Sequence, residues 1–168
     1  MKYSVKWIAY IAVFSAFAAV MSYLETLIPF NIGIPGVKPG FANLVIVLAL
    51  YEMGKKEAFF INIVRILIVG FMFGNLFSIL FSISGALISL GCMIAAKKIK
   101  GLSLIGISIV GGVTHNIGQI IVAAFVVNTF SIVYYIPVLI ISGLITGLLI
   151  GILCKSIQPL IHLVIRGI

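Results

Sequence analysis

The sequence predicts an all-α integral membrane protein with six transmembrane helices, and its composition and the spacing of its apolar runs carry this prediction. Of the 168 residues, 63% are hydrophobic and only 8% are charged, and the mean hydropathy is +1.37. A soluble domain is about 45–50% apolar and about 25% charged. The composition therefore excludes a water-soluble enzyme and a peripheral amphipathic protein. Because a span takes about 20 residues, we expect residues 1–168 to form a single transmembrane domain.

Six apolar runs divide the chain, and they lie at about 7–28, 41–53, 58–73, 76–96, 102–127 and 132–154. The stretch that follows, 155–168, is predicted to be a tail along the membrane interface. Six spans place both termini on one side, and all but two of the 11 Lys and Arg residues then share that side. The positive-inside rule assigns it to the cytoplasm. We therefore expect a multi-pass protein of the cell membrane with both termini cytoplasmic.

The second apolar run is too short to cross the bilayer alone, since about 13 residues reach only about 20 Å as a helix, against a core of about 30 Å. The segment before it, 29–40, contains prolines and glycines that forbid a continuous helix. We expect a re-entrant loop between helices 1 and 2 that lines a cavity open to the outside. Lys38 and the N-terminus of the second helix would attract an anionic group there. The alternative is a plain tight loop whose lysine reaches the interface.

Lys38 and Arg65 are the two cations that do not share the predicted cytoplasmic side. Arg65 is the one inside an apolar run. It lies nine residues beyond Lys56 and therefore near the bilayer midplane, where a charge costs at least about 2.5 kcal/mol and must face an interior partner. Glu25 is the only acid outside the predicted cytoplasmic loop that holds Glu52 and Glu57. Two interpretations follow: a structural Arg65–Glu25 pair, or contact of one or both side chains with a ligand.

The fifth run carries a polar face. At 100° per residue, six of its small and polar residues fall within an arc of about 140°, and Ile and Val residues occupy other directions around the helix. A lone intramembrane histidine often hydrogen-bonds a neighbouring helix, but polar side chains around it favour ligand contact. No metal site is expected, because the histidine lacks companion ligands. The residues of this face are Ser108, Gly111, Gly112, His115, Asn116 and Gln119.

Two stripes of small residues indicate close helix packing. Gly143, Gly147 and Gly151 follow one another at every fourth position in the sixth run, and this ladder predicts packing within the molecule. The first run carries alanines on one face, which either pack internally or dock another membrane protein. These alanines are Ala9, Ala12, Ala16 and Ala19.

Several functions are disfavoured by residues that the sequence lacks. The net charge of +8 comes without an aromatic-basic module, so no nucleic-acid partner is expected. There is no phosphate-binding G-x-x-x-x-G-K-[ST] loop, so the chain does not hydrolyse ATP itself. It also contains no Asp, and one Glu outside the loop cannot hold Mg²⁺ against a diphosphate. We expect neither enzymatic activity nor a cofactor.

Particular motifs resemble known families. Residues 12–16 (AVFSA) resemble the A-x-x-x-A element of the substrate-binding S components of energy-coupling factor (ECF) transporters. Three longer motifs are similar, in order, to the Gx transporter family, which is also labelled heptaprenyl diphosphate synthase component I. They are 24–29 (LETLIP), 35–43 (PGVKPGFAN) and 111–119 (GGVTHNIGQ).

The resemblance implies a substrate-binding subunit for uptake of a small molecule such as a vitamin, a flavin or a cofactor precursor. Separate ATPase and coupling subunits would supply energy, and the first-helix alanines would dock onto the coupling subunit. The alternative is a non-transporting membrane accessory subunit of an isoprenoid- or quinone-synthesis complex or of a redox complex. The predicted substrate-binding wall consists of Glu25, Lys38, Asn43, Arg65, Asn75, His115, Asn116 and Gln119.

Overall fold

The structure is a computed structural model that describes residues 4–27, 40–128 and 134–167. In this part of the chain all regular structure is helical. The predicted re-entrant segment at 29–39, with Lys38, lies outside the described residues. The six helices are α1 (Val5–Leu27), α2 (Phe41–Glu52), α3 (Lys55–Phe73), α4 (Leu76–Ala96), α5 (Leu104–Val127) and α6 (Ile136–Arg166).

The helices agree with the predicted apolar runs, and the bounds of the first five differ from the prediction by no more than three residues. Four of the helices, α1, α4, α5 and α6, are long and apolar enough to cross a membrane. The all-helical membrane architecture is therefore confirmed. The crossing of the bilayer by α2 and α3, and the orientation of the termini, stay predictions.

Helix α6 continues well beyond the predicted end of its span at Cys154. It runs for 31 residues and includes Pro159, although an interior proline removes one hydrogen bond of the helix. Side chains beyond Cys154 hold this extension against the end of α2: Gln158 Nε2 donates to Glu52 Oε1 at 2.9 Å, and His162 Nδ1 lies 2.7 Å from Glu52 Oε2. The predicted interfacial tail is thus a continuation of α6, packed on the bundle.

Helix α2 forms the centre of the bundle. Every residue from Leu44 to Leu50 is buried, which means that all faces of the helix are covered. A helix that is apolar all round belongs in such an interior position. It packs against α1, α3 and α6 and touches α5, and so the short second run is shielded from lipid by its neighbours.

The glycine ladder of α6 packs on α5, as the sequence predicts. A Cβ atom added to Gly143 would lie 2.8 Å from the Cα atom of Val113, and one added to Gly147 would lie 2.7 Å from the Cα atom of Ile109. Only glycine permits this approach of the two backbones. The prediction of intramolecular packing is confirmed.

The start of α1 and the ends of α2, α4 and α6 lie at one end of the bundle, together with many of the lysines. We call it the basic end. The Tyr10 hydroxyl donates to the Val164 carbonyl at 2.8 Å. Lys97 Nζ donates to the Leu50 carbonyl at 2.9 Å and lies 4.3 Å from the centre of the Tyr51 ring. Partial burial lowers the pKa of Lys97, and attraction by Glu52 opposes this shift. The described parts of the first and last helices therefore meet at the same end.

Candidate functional site

A cavity of about 360 Å³ lies where all six helices converge. Its volume is within the range of about 300–1,000 Å³ that small-molecule sites occupy. Each helix contributes lining residues, and they include seven of the eight predicted substrate-binding positions; the eighth, Lys38, lies outside the described residues. The seven are Glu25, Asn43, Arg65, Asn75, His115, Asn116 and Gln119.

Arg65 lies at the middle of α3 and brings a cation to the cavity wall. Its Nε donates to Asn62 Oδ1 at 2.9 Å, and its Nη1 donates to Ser22 Oγ at 2.9 Å. A guanidinium carries five N–H donors, and these two bonds engage two of them. They fix the plane of the guanidinium between α1 and α3. Asn62 and Ser22 are both buried.

Glu25 lies near the end of α1. Its carboxylate occupies the position at the α2 N-terminus where the sequence predicts an anionic group of a ligand. Its Oε1 accepts a hydrogen bond from the backbone N–H of Ala42 at 3.2 Å. A carboxylate is stabilised there by the helix dipole. Glu25 also attracts Arg65 electrostatically. The chain thus supplies its own anion to the first turn of α2.

Helix α5 presents part of its predicted polar face to the cavity. His115, Asn116 and Gln119 line it and are half-buried. The Asn116 side chain donates to the Leu139 carbonyl of α6 at 2.9 Å, which leaves its amide oxygen as an acceptor. Gly85 of α4 lies against this face, since an added Cβ would come within 2.8 Å of the Gln119 side chain.

Two members of that predicted face have a packing role instead. Ser108 is fully buried, next to Gly151 of α6. Gly111 packs against Met93, because an added Cβ would lie 2.6 Å from its sulfur atom. The polar arc of α5 therefore serves two purposes along its length: helix packing near the basic end and cavity lining farther from it.

Asn75 lines the cavity and also caps α4. Its side-chain oxygen accepts from the Ser78 backbone N–H at 2.8 Å, and Ser78 Oγ accepts in return from the Asn75 N–H at 3.0 Å. This reciprocal capping box stabilises the helix start. A structural role is therefore demonstrated for Asn75 alongside its place in the wall.

The wall also contains small hydroxyl residues that the sequence patterns did not predict. Several of them follow helical spacing relative to residues that those patterns did identify: Ser22 precedes Glu25 by three positions, and Ser78 follows Asn75 by three. Such spacing on a polar helix face is the signal that could have found them. The missed lining residues are Ser22, Thr26, Ser78, Ser82 and Thr146.

The remaining wall is apolar and comes mainly from α3, α4 and α6. It includes Ile66, Phe73, Ile79 and Ile150. Within residues 4–27, 40–128 and 134–167, no three His, Cys, Asp or Glu side chains cluster as metal ligands would. The arrangement suits a small molecule with a polar, hydrogen-bonding part and an apolar part.

The fold and the cavity together describe a helical membrane protein with a cavity inside its bundle that is lined by polar and apolar residues. The family is shown by comparison: residues 14–157 match the family described as heptaprenyl diphosphate synthase component I, and the chain belongs to it. No curated protein and no solved structure matches the chain.

Proposed function

We propose that this chain is a non-catalytic membrane subunit that captures a small molecule in its central cavity for uptake into the cell. In this proposal it acts as S components of ECF transporters do, and separate ATPase and coupling subunits supply the energy. The ligand class is a vitamin, a flavin or another cofactor precursor with a polar part. The chain lies in the cell membrane, and its basic end faces the cytoplasm.

The observation that carries this proposal is the convergence of polar side chains from separate helices on one cavity. Arg65, Glu25 and the α5 residues come from distant parts of the chain. Placing charged groups within a membrane bundle is costly, and intramembrane polar groups mark ligand pathways more often than they serve stability alone. Packing alone would have been achieved with apolar residues at these positions.

Substitution of Arg65 by Met is expected to remove the captured molecule. Met keeps an unbranched apolar stem but deletes the guanidinium, so we expect the purified variant to carry at least about tenfold less small molecule, equivalent to about 1.4 kcal/mol. The amount is measured by mass spectrometry of material extracted from equal quantities of folded protein. Gln119→Ala, which leaves the Arg65 hydrogen bonds intact, should also lower it.

Lys98→Met is the matched control, because Lys98 is exposed at the basic end, away from the cavity. Its small-molecule content should equal that of the unaltered protein. If the unaltered protein carries no small molecule, or if cells expressing Arg65→Met take up the identified molecule normally, the capture proposal is wrong.

The alanine stripe of α1 is the proposed docking surface for the coupling subunit. Ala9, Ala12 and Ala16 are exposed, while Ala19 is half-buried, so most of the stripe faces outward. Small residues let a partner helix approach closely. We expect Ala12→Leu or Ala16→Leu to abolish co-purification of ATPase and coupling subunits. Val13→Leu enlarges an exposed neighbour off the stripe and should leave co-purification unchanged; equal loss in that variant would refute the assignment.

The family description favours a second candidate, a membrane accessory subunit of heptaprenyl diphosphate synthesis. The chain contains no Asp, so in that case the diphosphate chemistry would belong to a separate catalytic subunit. Affinity purification separates the two candidates. Recovery of a prenyl diphosphate synthase in place of ATPase and coupling subunits would replace the capture proposal with this one.

A further inference from the structure

A second concave surface lies on the outside of the bundle, between α3 and α4, near the basic end. We call it the α3–α4 groove, and its volume is about 380 Å³. Phe59 of α3 and Leu87 of α4 form its sides and are 47% and 44% exposed. The residues that line it are Lys55, Lys56, Phe59, Leu87, Leu90, Gly91 and Ile94.

Gly91 is exposed in the groove, and the adjacent Leu90 is buried. A Cβ atom added to Gly91 would meet nothing within 4 Å, whereas the glycines of the α5–α6 contact leave no such room. The missing side chain therefore creates open space on the outer surface. The α4 residues of the groove, from Leu87 to Ile94, extend for two helical turns, or about 10 Å along the helix. The groove is thus a shallow depression whose lining, apart from Lys55 and Lys56, is apolar.

The groove has charge at one end only. Lys55 and Lys56 open α3 and are exposed, and they lie at the end of the groove marked by Ile94, because α4 runs antiparallel to α3. Glu57, in the same turn, is the acid nearest to them in sequence. Lys98 and Lys100 follow the end of α4 at the same level. Cations therefore outnumber the acid around the polar end of the α3–α4 groove.

We propose that the α3–α4 groove binds an anionic phospholipid, with the phosphate headgroup at Lys55 and Lys56 and an acyl chain along Gly91. Lysines at helix ends lie at the depth of lipid headgroups, and basic pockets between transmembrane helices bind anionic lipid headgroups. The apolar part of the α3–α4 groove then lies at the depth of the acyl chains. This site is independent of the central cavity and of the function proposed for it.

The test is lipid binding by the intact purified chain, measured by native mass spectrometry with titrated phosphatidylglycerol and phosphatidylcholine. We expect phosphatidylglycerol to bind at least about tenfold more tightly, since each lysine near a lipid surface contributes about a factor of five. Lys55→Gln with Lys56→Gln should remove that preference. Gly91→Leu should fill the groove and lower the affinity for phosphatidylglycerol, and its lipid-free melting temperature should stay that of the unaltered protein.

Lys155→Gln with Arg166→Gln is the matched control, because it removes two exposed cations of α6 that lie outside the groove. This pair should retain the preference for phosphatidylglycerol. Equal affinity for the two lipids, or a preference that survives loss of Lys55 and Lys56, would overturn the proposal. So would displacement of phosphatidylglycerol by equimolar farnesyl diphosphate, or a dimer that Gly91→Leu dissociates, since these outcomes give the groove a different occupant.

Discussion

Gly147→Ala is expected to destabilise the folded protein by about 1–3 kcal/mol, the usual cost of forcing an extra group into a well-packed interior. The added Cβ would lie 2.7 Å from the Cα atom of Ile109 and 2.9 Å from the Ser108 carbonyl oxygen. Both are backbone atoms, so no side-chain rotation relieves the contact and α5 must move away from α6. Thermal unfolding in detergent, followed by size-exclusion chromatography, measures the loss.

Gly91→Ala makes the same chemical change on α4 and is the control. Its Cβ meets nothing within 4 Å, and alanine favours a helix over glycine by about 1 kcal/mol. We expect its melting temperature to equal or exceed that of the unaltered protein. If Gly147→Ala and Gly91→Ala unfold at the same temperature, close packing at the glycine ladder does not contribute to stability.

Most of the polar lining of the cavity was predictable, because charged and polar residues stand out within apolar membrane-spanning runs. Arg65 could be placed at mid-depth by counting from the lysines before it, and the arc around His115 followed from helical geometry alone. An apolar solvent leaves few reasons for such side chains, so their convergence on one cavity was a natural prediction. The hydroxyl residues of the wall escaped notice because serine and threonine are common in transmembrane helices for packing as well.

Contacts between distant segments were not predictable in the same way. Nothing local in the sequence indicates that Glu25 reaches the α2 N-terminus, since a contact across 17 residues depends on how α1 and α2 cross. Pro159 gives no local indication that the sixth helix continues, because proline disfavours helix interiors. The helix continues beyond Pro159, and Gln158 and His162 on either side of this proline contact Glu52.

Glu52 shows the same limitation most clearly. Its position next to Gly54, Lys55 and Lys56 indicated a hydrated loop, yet it is only 5% exposed. Burial of a carboxylate requires partners, and its two hydrogen-bonding side chains come from the stretch that the sequence predicts to be an interfacial tail. The acid and the extension of α6 thus depend on each other.

Gln158→Leu combined with His162→Leu is expected to destabilise the protein by about 3–5 kcal/mol, because it leaves a buried carboxylate without its two side-chain partners. The bonds lost are those at 2.9 Å and 2.7 Å to the two oxygens of Glu52. Unfolding in detergent measures the effect. Ser156→Leu, an exposed change on the same stretch of α6, is the control for added apolar surface and should change the melting temperature little.

Adding Glu52→Leu to that double variant distinguishes the loss of partners from the loss of packing. Once the charge itself is gone, this cluster no longer contains a buried carboxylate without a partner, and replacing a whole buried ionic cluster with apolar residues is often neutral or stabilising. We therefore expect the triple variant to recover most of the stability that the double variant loses, a strong departure from additivity. A triple variant less stable than the double variant would show instead that Glu52 stabilises this end of the bundle through other contacts, among which attraction to Lys97 is one.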